Sequence, residues 1–223
     1  TNVLKYITTS SFAICLSMSA FYLKKENIIQ YEYIILLLLA LLGIFTMISA
    51  YDLITIYLAI ELQSLSFYIL ASIKVWNNYS TEAGMKYFIL GAIASGLLLF
   101  GCSIIYAYTG TTNLHQIYMI FLVEYKKFYT LQFYSYGLIL GVGLISVGIL
   151  FKLGAAPFHM WLPDVYEGVP TSITAIFAIV PKIALLNLLY ILSTTIFTLK
   201  IGYWENAIIY LSLIHIWRCR RIL

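Results

Sequence analysis

The chain has 223 residues, of which 62% are hydrophobic and 10% charged, and its mean hydropathy is +0.94. A water-soluble domain of this size does not carry so large an apolar share, so the composition predicts a membrane protein. The net charge of +4 does not indicate a nucleic-acid partner, because all the arginines stand near the end of the chain, at Arg218, Arg220 and Arg221.

Apolar runs of about 20 residues, the length that crosses a bilayer as a helix, recur along the whole chain. Barrel strands would instead alternate apolar and polar residues. The sequence therefore predicts an all-α, polytopic membrane bundle in one helical domain over residues 1–210. The expected spans are 3–23, 28–49, 51–73, 83–108, 131–151 and 171–199, with a further helix that begins near residue 203. Charged clusters at 24–27, 74–81 and 124–127 fall between these spans.

Proline placement predicts where a span is broken. All four prolines lie between residues 157 and 181. Each lacks a backbone donor and clashes with the preceding turn, so the fifth span cannot continue far past Lys152 as a regular helix. Membranes tolerate broken backbone only where protein or a water-filled cavity covers it, and such breaks mark ion and substrate sites in transporters. We therefore expect a discontinuous transmembrane helix near 152–163.

Ionisable residues inside the apolar spans are the candidate functional groups. They are Glu61, Lys86, Lys152 and Lys182. A charge at the middle of a span costs about 2.5–3.5 kcal/mol, so these residues must be paired, hydrated or neutral. A lysine that has lost its water releases its proton more readily, which would let it carry protons near neutral pH.

Each of these residues also has a structural interpretation. Glu61 with one lysine could be an ion pair that only fixes helix packing, and Lys86, near the start of its span, could extend to the membrane surface. Lys152 lies beside the predicted break and Lys182 directly follows Pro181, so a purely structural role fits them less well.

Three further residues lie within or just after the predicted break. His159 can both donate and accept protons in a relay, or it can be a hydrogen-bonded residue without a role in transport. Asp164 and Glu167 are expected in a loop or helix cap near the surface.

The cysteines Cys15, Cys102 and Cys219 are far apart and form no metal-ligand spacing. The residues alone predict a proton-conducting or ion-coupled membrane subunit that holds no metal or cofactor itself.

Three long motifs resemble a known family. They are YDLITIYLAIELQSLSFYILAS at 51–72, STEAGMKYFILGAIASGLLLFGCSIIYAYTGTTNL at 80–114 and FKLGAAPFHMWLPDVYEGVPTSITAIFAIVPKIALL at 151–186. They closely resemble the antiporter-like membrane subunits of respiratory complex I, in the plant and protist form of mitochondrial NADH dehydrogenase subunit 2.

The resemblance implies a fold and a set of proton-translocating residues. The family has two inverted five-helix repeats, each with a broken helix that carries a buried lysine, and this chain would hold the first repeat and preceding helices, incomplete. Glu61 would be coupled to Lys86 or Lys152, Lys182 would also take part in proton translocation, and His159 would be a relay.

The resemblance also implies the partners and the location of the chain. The partners would be the other membrane-arm subunits of complex I and the lipid of the mitochondrial inner membrane, while other subunits would bind NADH, FMN, the iron–sulfur clusters and ubiquinone. Two alternatives stay open at this point: a subunit of a sodium/proton antiporter, and a membrane scaffold that pumps nothing.

The end of the chain has an interpretation of its own. The stretch LSLIHIWRCRR at 211–221 back-translates into a sequence that resembles a transposase adapter used for sequencing libraries, with TGA read as tryptophan. Residues 211–223 are therefore expected to be a translated assembly artefact, and the reading of TGA indicates a mitochondrial-type code. The alternative is a basic flank that follows a membrane helix.

Overall fold

The computed structural model describes residues 2–25, 31–127 and 132–196. The described chain folds into α-helices, which confirms the predicted all-α class. They are α1 (Asn2–Lys25), α2 (Tyr31–Ser49), α3 (Leu53–Ala71), α4 (Asn78–Thr109), α5 (Leu114–Lys127), α6 (Gln132–Leu153), α7 (Trp161–Gly168) and α8 (Thr171–Thr195). Five of them, α1 to α4 and α8, are long and apolar enough to cross a membrane, and Gly137–Leu153 of α6 is a shorter apolar helix. The chain is a multi-pass membrane protein.

One compact unit is formed by Thr1–Ala50, Thr55–Ile93 and Trp161–Leu188. Within it α2 packs on α3 at Gly43, where a β-carbon would lie 2.9 Å from both the carbonyl oxygen of Ala59 and the backbone nitrogen of Gln63. Small residues let membrane helices approach this closely. The van der Waals contacts that result stabilise the helix pair, because in lipid there is no hydrophobic driving force between helices.

The second compact unit contains, among the described residues, those of Tyr51–Ile54, Ala94–Met160 and 189–196. Its part of α4 packs on α6 at Gly101, where a β-carbon would lie 2.7 Å from the carbonyl oxygen of Gly141. This unit also holds the start of α3 against the start of α5, because the Leu53 N–H donates to Thr112 O and the Leu114 N–H donates to Tyr51 O, both at 2.9 Å.

Helix α4 begins five residues earlier than the sequence predicted. The side chain of Asn77 accepts a hydrogen bond from the Tyr79 N–H at 3.0 Å and so caps the helix. The Ser80 hydroxyl donates to Ala71 O at 2.7 Å and ties the first turn to the end of α3. The prediction that residues 78–81 fall between spans was therefore wrong, because it was based on their polarity and overlooked the cap.

Helix α5 was missed because it is too short to be a span. Asn113 caps it by accepting the His115 N–H at 3.0 Å. Leu114, Ile117 and Phe121 form its buried face, at the spacing of an amphipathic helix. The helix expected near residue 203 and the segment 211–223 lie outside the described residues.

The close contact at Gly43 predicts that an added methyl group destabilises the protein there but not at Gly96, where there is open space. Gly43→Ala should lower the free energy of unfolding by about 1–3 kcal/mol, because the methyl meets backbone atoms that cannot move aside. Gly96→Ala, also in a helix but with open space around it, should be neutral or stabilise by up to about 1 kcal/mol. Unfolding of the purified protein in detergent measures both, and equal effects would contradict the close packing.

Candidate functional site

Lys152 stands in the last turn of α6, which ends in a specific backbone motif. The Gly154 N–H donates to Phe151 O and the Ala155 N–H donates to Leu150 O, both at 3.0 Å, and Gly154 has a φ of 71°. This pair of hydrogen bonds around a left-handed glycine is the Schellman motif. The helix thus ends before Pro157 is reached. The negative end of the helix dipole lies here and favours a positive charge such as that of Lys152.

The chain between α6 and α7 forms the predicted break. Helix α6 ends at Leu153 and α7 begins at Trp161, which confirms a discontinuous helix near 152–163. His159 lies in this break, and its Nε2 atom, like the Nζ atom of Lys152, is closed off from solvent. Pro163 is in the first turn of α7, where no backbone donor is needed.

Glu61 lies near the middle of α3, and its Oε1 atom is closed off from solvent. Tyr68 stands seven residues later, about two turns further along the same face of α3. Which lysine is coupled to Glu61 stays a prediction.

Lys182 belongs to α8, which continues through Pro181. Its Nζ atom lies over the ring of Tyr166 in α7, 5.8 Å from the ring centroid. At this distance an ammonium group is attracted to the negative face of an aromatic ring. The structure therefore gives Lys182 an aromatic partner that the sequence did not indicate.

Lys86 is held by carboxylates from two helices. Its Nζ atom lies 2.8 Å from Glu82 of α4 and 2.9 Å from Asp164 of α7, and its side chain is 45% exposed. Helix α4 has 32 residues, about 48 Å at 1.5 Å per residue, and so exceeds a hydrocarbon core of about 30 Å. Its first turns, including Lys86, therefore have room to extend toward the membrane surface.

Lys86, Glu82 and Asp164 line a small open cleft. Its volume is about 170 Å³, and its other lining residues are Tyr79, Ala83, Glu167 and Gly168. Asp164 and Glu167 were expected in a loop or helix cap near the surface; both are exposed, and both belong to α7 rather than to a loop. Asp164 is in the first turn, where the helix dipole favours a negative charge.

The predicted residues are divided between the two compact units. Glu61, Lys86 and Lys182 lie in the first unit, whereas Lys152 and His159 lie in the second. Within the described ranges, no group of three or more histidine, cysteine or acidic side chains could hold a metal ion.

Sequence reasoning missed a group of aromatic side chains in the first unit. The ring of Tyr87 stacks on that of Trp161 at 5.0 Å and meets that of Tyr68 edge-on at 4.8 Å, and Trp161 meets Tyr166 edge-on at 6.3 Å. With 20 tyrosines in the chain, no spacing signal distinguished these from the lipid-facing ones.

These features define a class of protein: a polytopic membrane protein with ionisable residues inside its spans and a helix broken beside a lysine, as in ion-translocating transporters. Residues 50–217 match the family described as NADH:quinone oxidoreductase/Mrp antiporter, TM. The match covers most of the chain, and the chain belongs to this family.

Several relatives are similar over most of this chain. NADH-ubiquinone oxidoreductase chain 2 of Marchantia polymorpha is 52% identical over 179 residues, which are 80% of this chain and 35% of that protein. NADH-quinone oxidoreductase subunit N of Rhodospirillum rubrum is 43% identical over 210 residues, which are 94% of this chain and 42% of that protein. The chain thus spans well under half the length of these relatives.

Solved structures show the same fold. A chain of respiratory complex I from Thermus thermophilus has a TM-score of 0.59 and 32% identity, and the match covers 73% of this chain and 34% of that one. A chain of the Mrp complex from Dietzia sp. DQ12-45-1b has a TM-score of 0.60 at 24% identity, covering 73% of this chain and 29% of that one, and shows the fold alone.

The ion pair between α4 and α7 predicts rescue by charge exchange. Lys86→Asp would set three acids together and Asp164→Lys two cations, so each should lower the amount of folded protein in membranes by up to about fivefold, the range of an exposed ion pair. The double variant restores opposite charges and should recover at least half of the loss. Immunoblotting of detergent extracts measures this, with Lys24→Asp, exposed at the end of α1, as the control. A double variant no better than either single one would show that the pair does not hold α7 to α4.

Proposed function

We propose that this chain is a proton-translocating membrane subunit of respiratory NADH:ubiquinone oxidoreductase, complex I. One observation carries the proposal: Lys152 ends a broken membrane helix with its Nζ atom closed off from solvent. An ionisable group kept away from water at a helix break is costly, and proteins retain such groups along ion and proton pathways.

Similarity favours complex I over the antiporter alternative. The family model describes both NADH:quinone oxidoreductase and the Mrp antiporter, so membership alone does not separate them. The relative from Marchantia polymorpha that is 52% identical is named NADH-ubiquinone oxidoreductase chain 2. The chain of the Mrp complex is only 24% identical to this chain, and that similarity supports only a shared fold. A subunit of a sodium/proton antiporter is therefore the second candidate.

In the proposed mechanism, quinone reduction elsewhere in the complex changes the charge of Glu61, and this changes its attraction for a lysine. For a carboxylate and an ammonium about 5 Å apart at an effective dielectric constant of about 20, the attraction is about 3 kcal/mol. Losing it lowers the proton affinity of the lysine about a hundredfold. Such a change suffices to load or release a proton.

The five candidate residues have distinct proposed roles. Glu61 governs the lysines by its ionisation, and Lys152 and Lys182 carry protons within the membrane. His159 relays protons through the break, because an imidazole both donates and accepts near neutral pH. Lys86, which pairs with Glu82 and Asp164, would act where the cleft opens.

The redox chemistry is proposed to belong to other subunits, which would bind NADH, FMN, the iron–sulfur clusters and ubiquinone. The partners of this chain would be the other membrane-arm subunits and lipid. Its location would be the mitochondrial inner membrane, which the plant-type resemblance and the reading of TGA as tryptophan favour over a bacterial membrane.

Charge-neutralising substitutions test the proposal in the assembled complex. Glu61→Gln, Lys152→Met and Lys182→Met should each lower NADH-driven proton uptake at least tenfold, because each removes a charge that the cycle needs. Lys24→Met, which removes an exposed lysine from α1, should leave it unchanged. Quenching of a pH-sensitive dye in inverted membrane vesicles measures proton uptake, and NADH oxidation in the same vesicles measures electron transfer.

The same assay separates the alternatives. Full pumping in all three variants would favour the scaffold and refute the proposed roles. Loss of sodium-dependent proton exchange without any change in NADH-driven pumping would favour the antiporter instead.

A further inference from the structure

We propose that Tyr166 is a positioning residue for Lys182, and that its aromatic ring, rather than its hydroxyl, holds the ammonium group in place. The inference deepens the proposed function and rests on Lys182 being one of its proton carriers. It follows from the cation–π contact between α7 and α8 and from the way the rest of α7 is fixed.

The contact itself has the geometry of a cation–π interaction. Lys182 Nζ lies 5.8 Å from the centroid of the Tyr166 ring, within the range of about 6 Å where the ring quadrupole attracts a cation. Lys182 is only partly buried. In an apolar span, where water does not screen it, this attraction is stronger than at an exposed site.

The ring contacts, not the hydroxyl, orient Tyr166. Its hydroxyl oxygen is closed off from solvent and makes no hydrogen bond to any residue that the structure describes. The ring instead meets Trp161 edge-on, with centroids 6.3 Å apart and planes at 88°. Trp161 in turn stacks on Tyr87 of α4 at 5.0 Å and 18°. An orientation set by packed rings is kept when the hydroxyl is removed.

Helix α7 is also fixed on another side. Asp164 binds Lys86 of α4 at 2.9 Å, and a β-carbon at Gly168 would lie 2.5 Å from Tyr79 O, so the end of α7 rests on the start of α4. Asp164 and Tyr166 are two residues apart, about 200° around a helix. One side of α7 therefore contacts Lys86 while nearly the opposite side carries the ring that contacts Lys182.

Chemical labelling of Lys182 tests the contact without reference to pumping. The assembled complex in its membrane is treated with a membrane-permeant amine-acylating reagent, and mass spectrometry follows the modification of Lys182. Tyr166→Leu and Tyr166→Met remove the ring, the second with a flexible side chain that refills the space. Both should raise the initial labelling rate at least fivefold. Tyr166→Phe keeps the ring and should stay within twofold of the unmodified chain.

The matched control is Tyr190→Leu, the same substitution on α8 at a side chain that is 67% exposed, and it should not change the labelling of Lys182. Unchanged labelling in both ringless variants would overturn the proposal. A Phe variant that labels as fast as the ringless ones would assign the effect to the hydroxyl and overturn it equally.

A double-mutant cycle on proton pumping separates this inference from the proposed function. Tyr166→Leu should lower pumping per NADH about tenfold, the effect expected of a desolvated cation–π contact. In a Lys182→Met background it should cause no further loss, because there is no ammonium left to position. The same loss in both backgrounds would indicate a structural role and refute positioning. Full pumping in Lys182→Met alone would refute the proton-carrier role, while the labelling result would still decide on Tyr166.

Discussion

A lysine inside a membrane span keeps its charge only if the protein replaces the water that lipid excludes. The structure meets this constraint differently for each lysine. Lys152 stands in the last turn of α6, at the negative end of the helix dipole. Lys182 faces the ring of Tyr166, and Lys86 pairs with two carboxylates. Each arrangement needs a helix end or a neighbouring helix at a defined place, and the rest of the fold positions these elements.

The break between α6 and α7 is the feature that supplies such places. If α6 continued as a regular helix, Lys152 would lie in its interior, away from the negative end of the helix dipole, and the charge would lie in an apolar wall. Ending it at the Gly154 motif places Lys152 at a helix end, and a new short helix starts at Trp161. That helix then offers Asp164 to one lysine and the Tyr166 ring to another. One interruption thus provides the surroundings of three cations.

The sequence predicted what depends on length and local chemistry. Long apolar runs gave the spans, and the proline cluster gave the break, although Gly154 ends α6 first. The asparagine caps at residues 77 and 113 could have been predicted from the sequence. They were overlooked because polar residues were assigned to the segments between spans. The pairing of Lys86 with Asp164 could not be predicted, since the residues are 78 positions apart and only the packing of α7 on α4 brings them together. The partner of Lys182 was equally hidden, because one tyrosine among twenty carries no signal in its spacing.

The arrangements at Lys86 and Lys182 differ in how firmly they hold a proton. An ammonium between two full negative charges loses a large attraction when it becomes neutral, so Lys86 would give up its proton only if a carboxylate took one. A ring face carries only partial charges, so a neutral amine at Lys182 would lose much less. A proton cycle needs sites where the charged and neutral forms differ little in free energy. Partial charges provide that balance where a second ionisable group, such as Glu61, can tip it. On this argument Lys182 suits proton transfer within the membrane, while Lys86 also anchors α7, from which Tyr166 reaches Lys182.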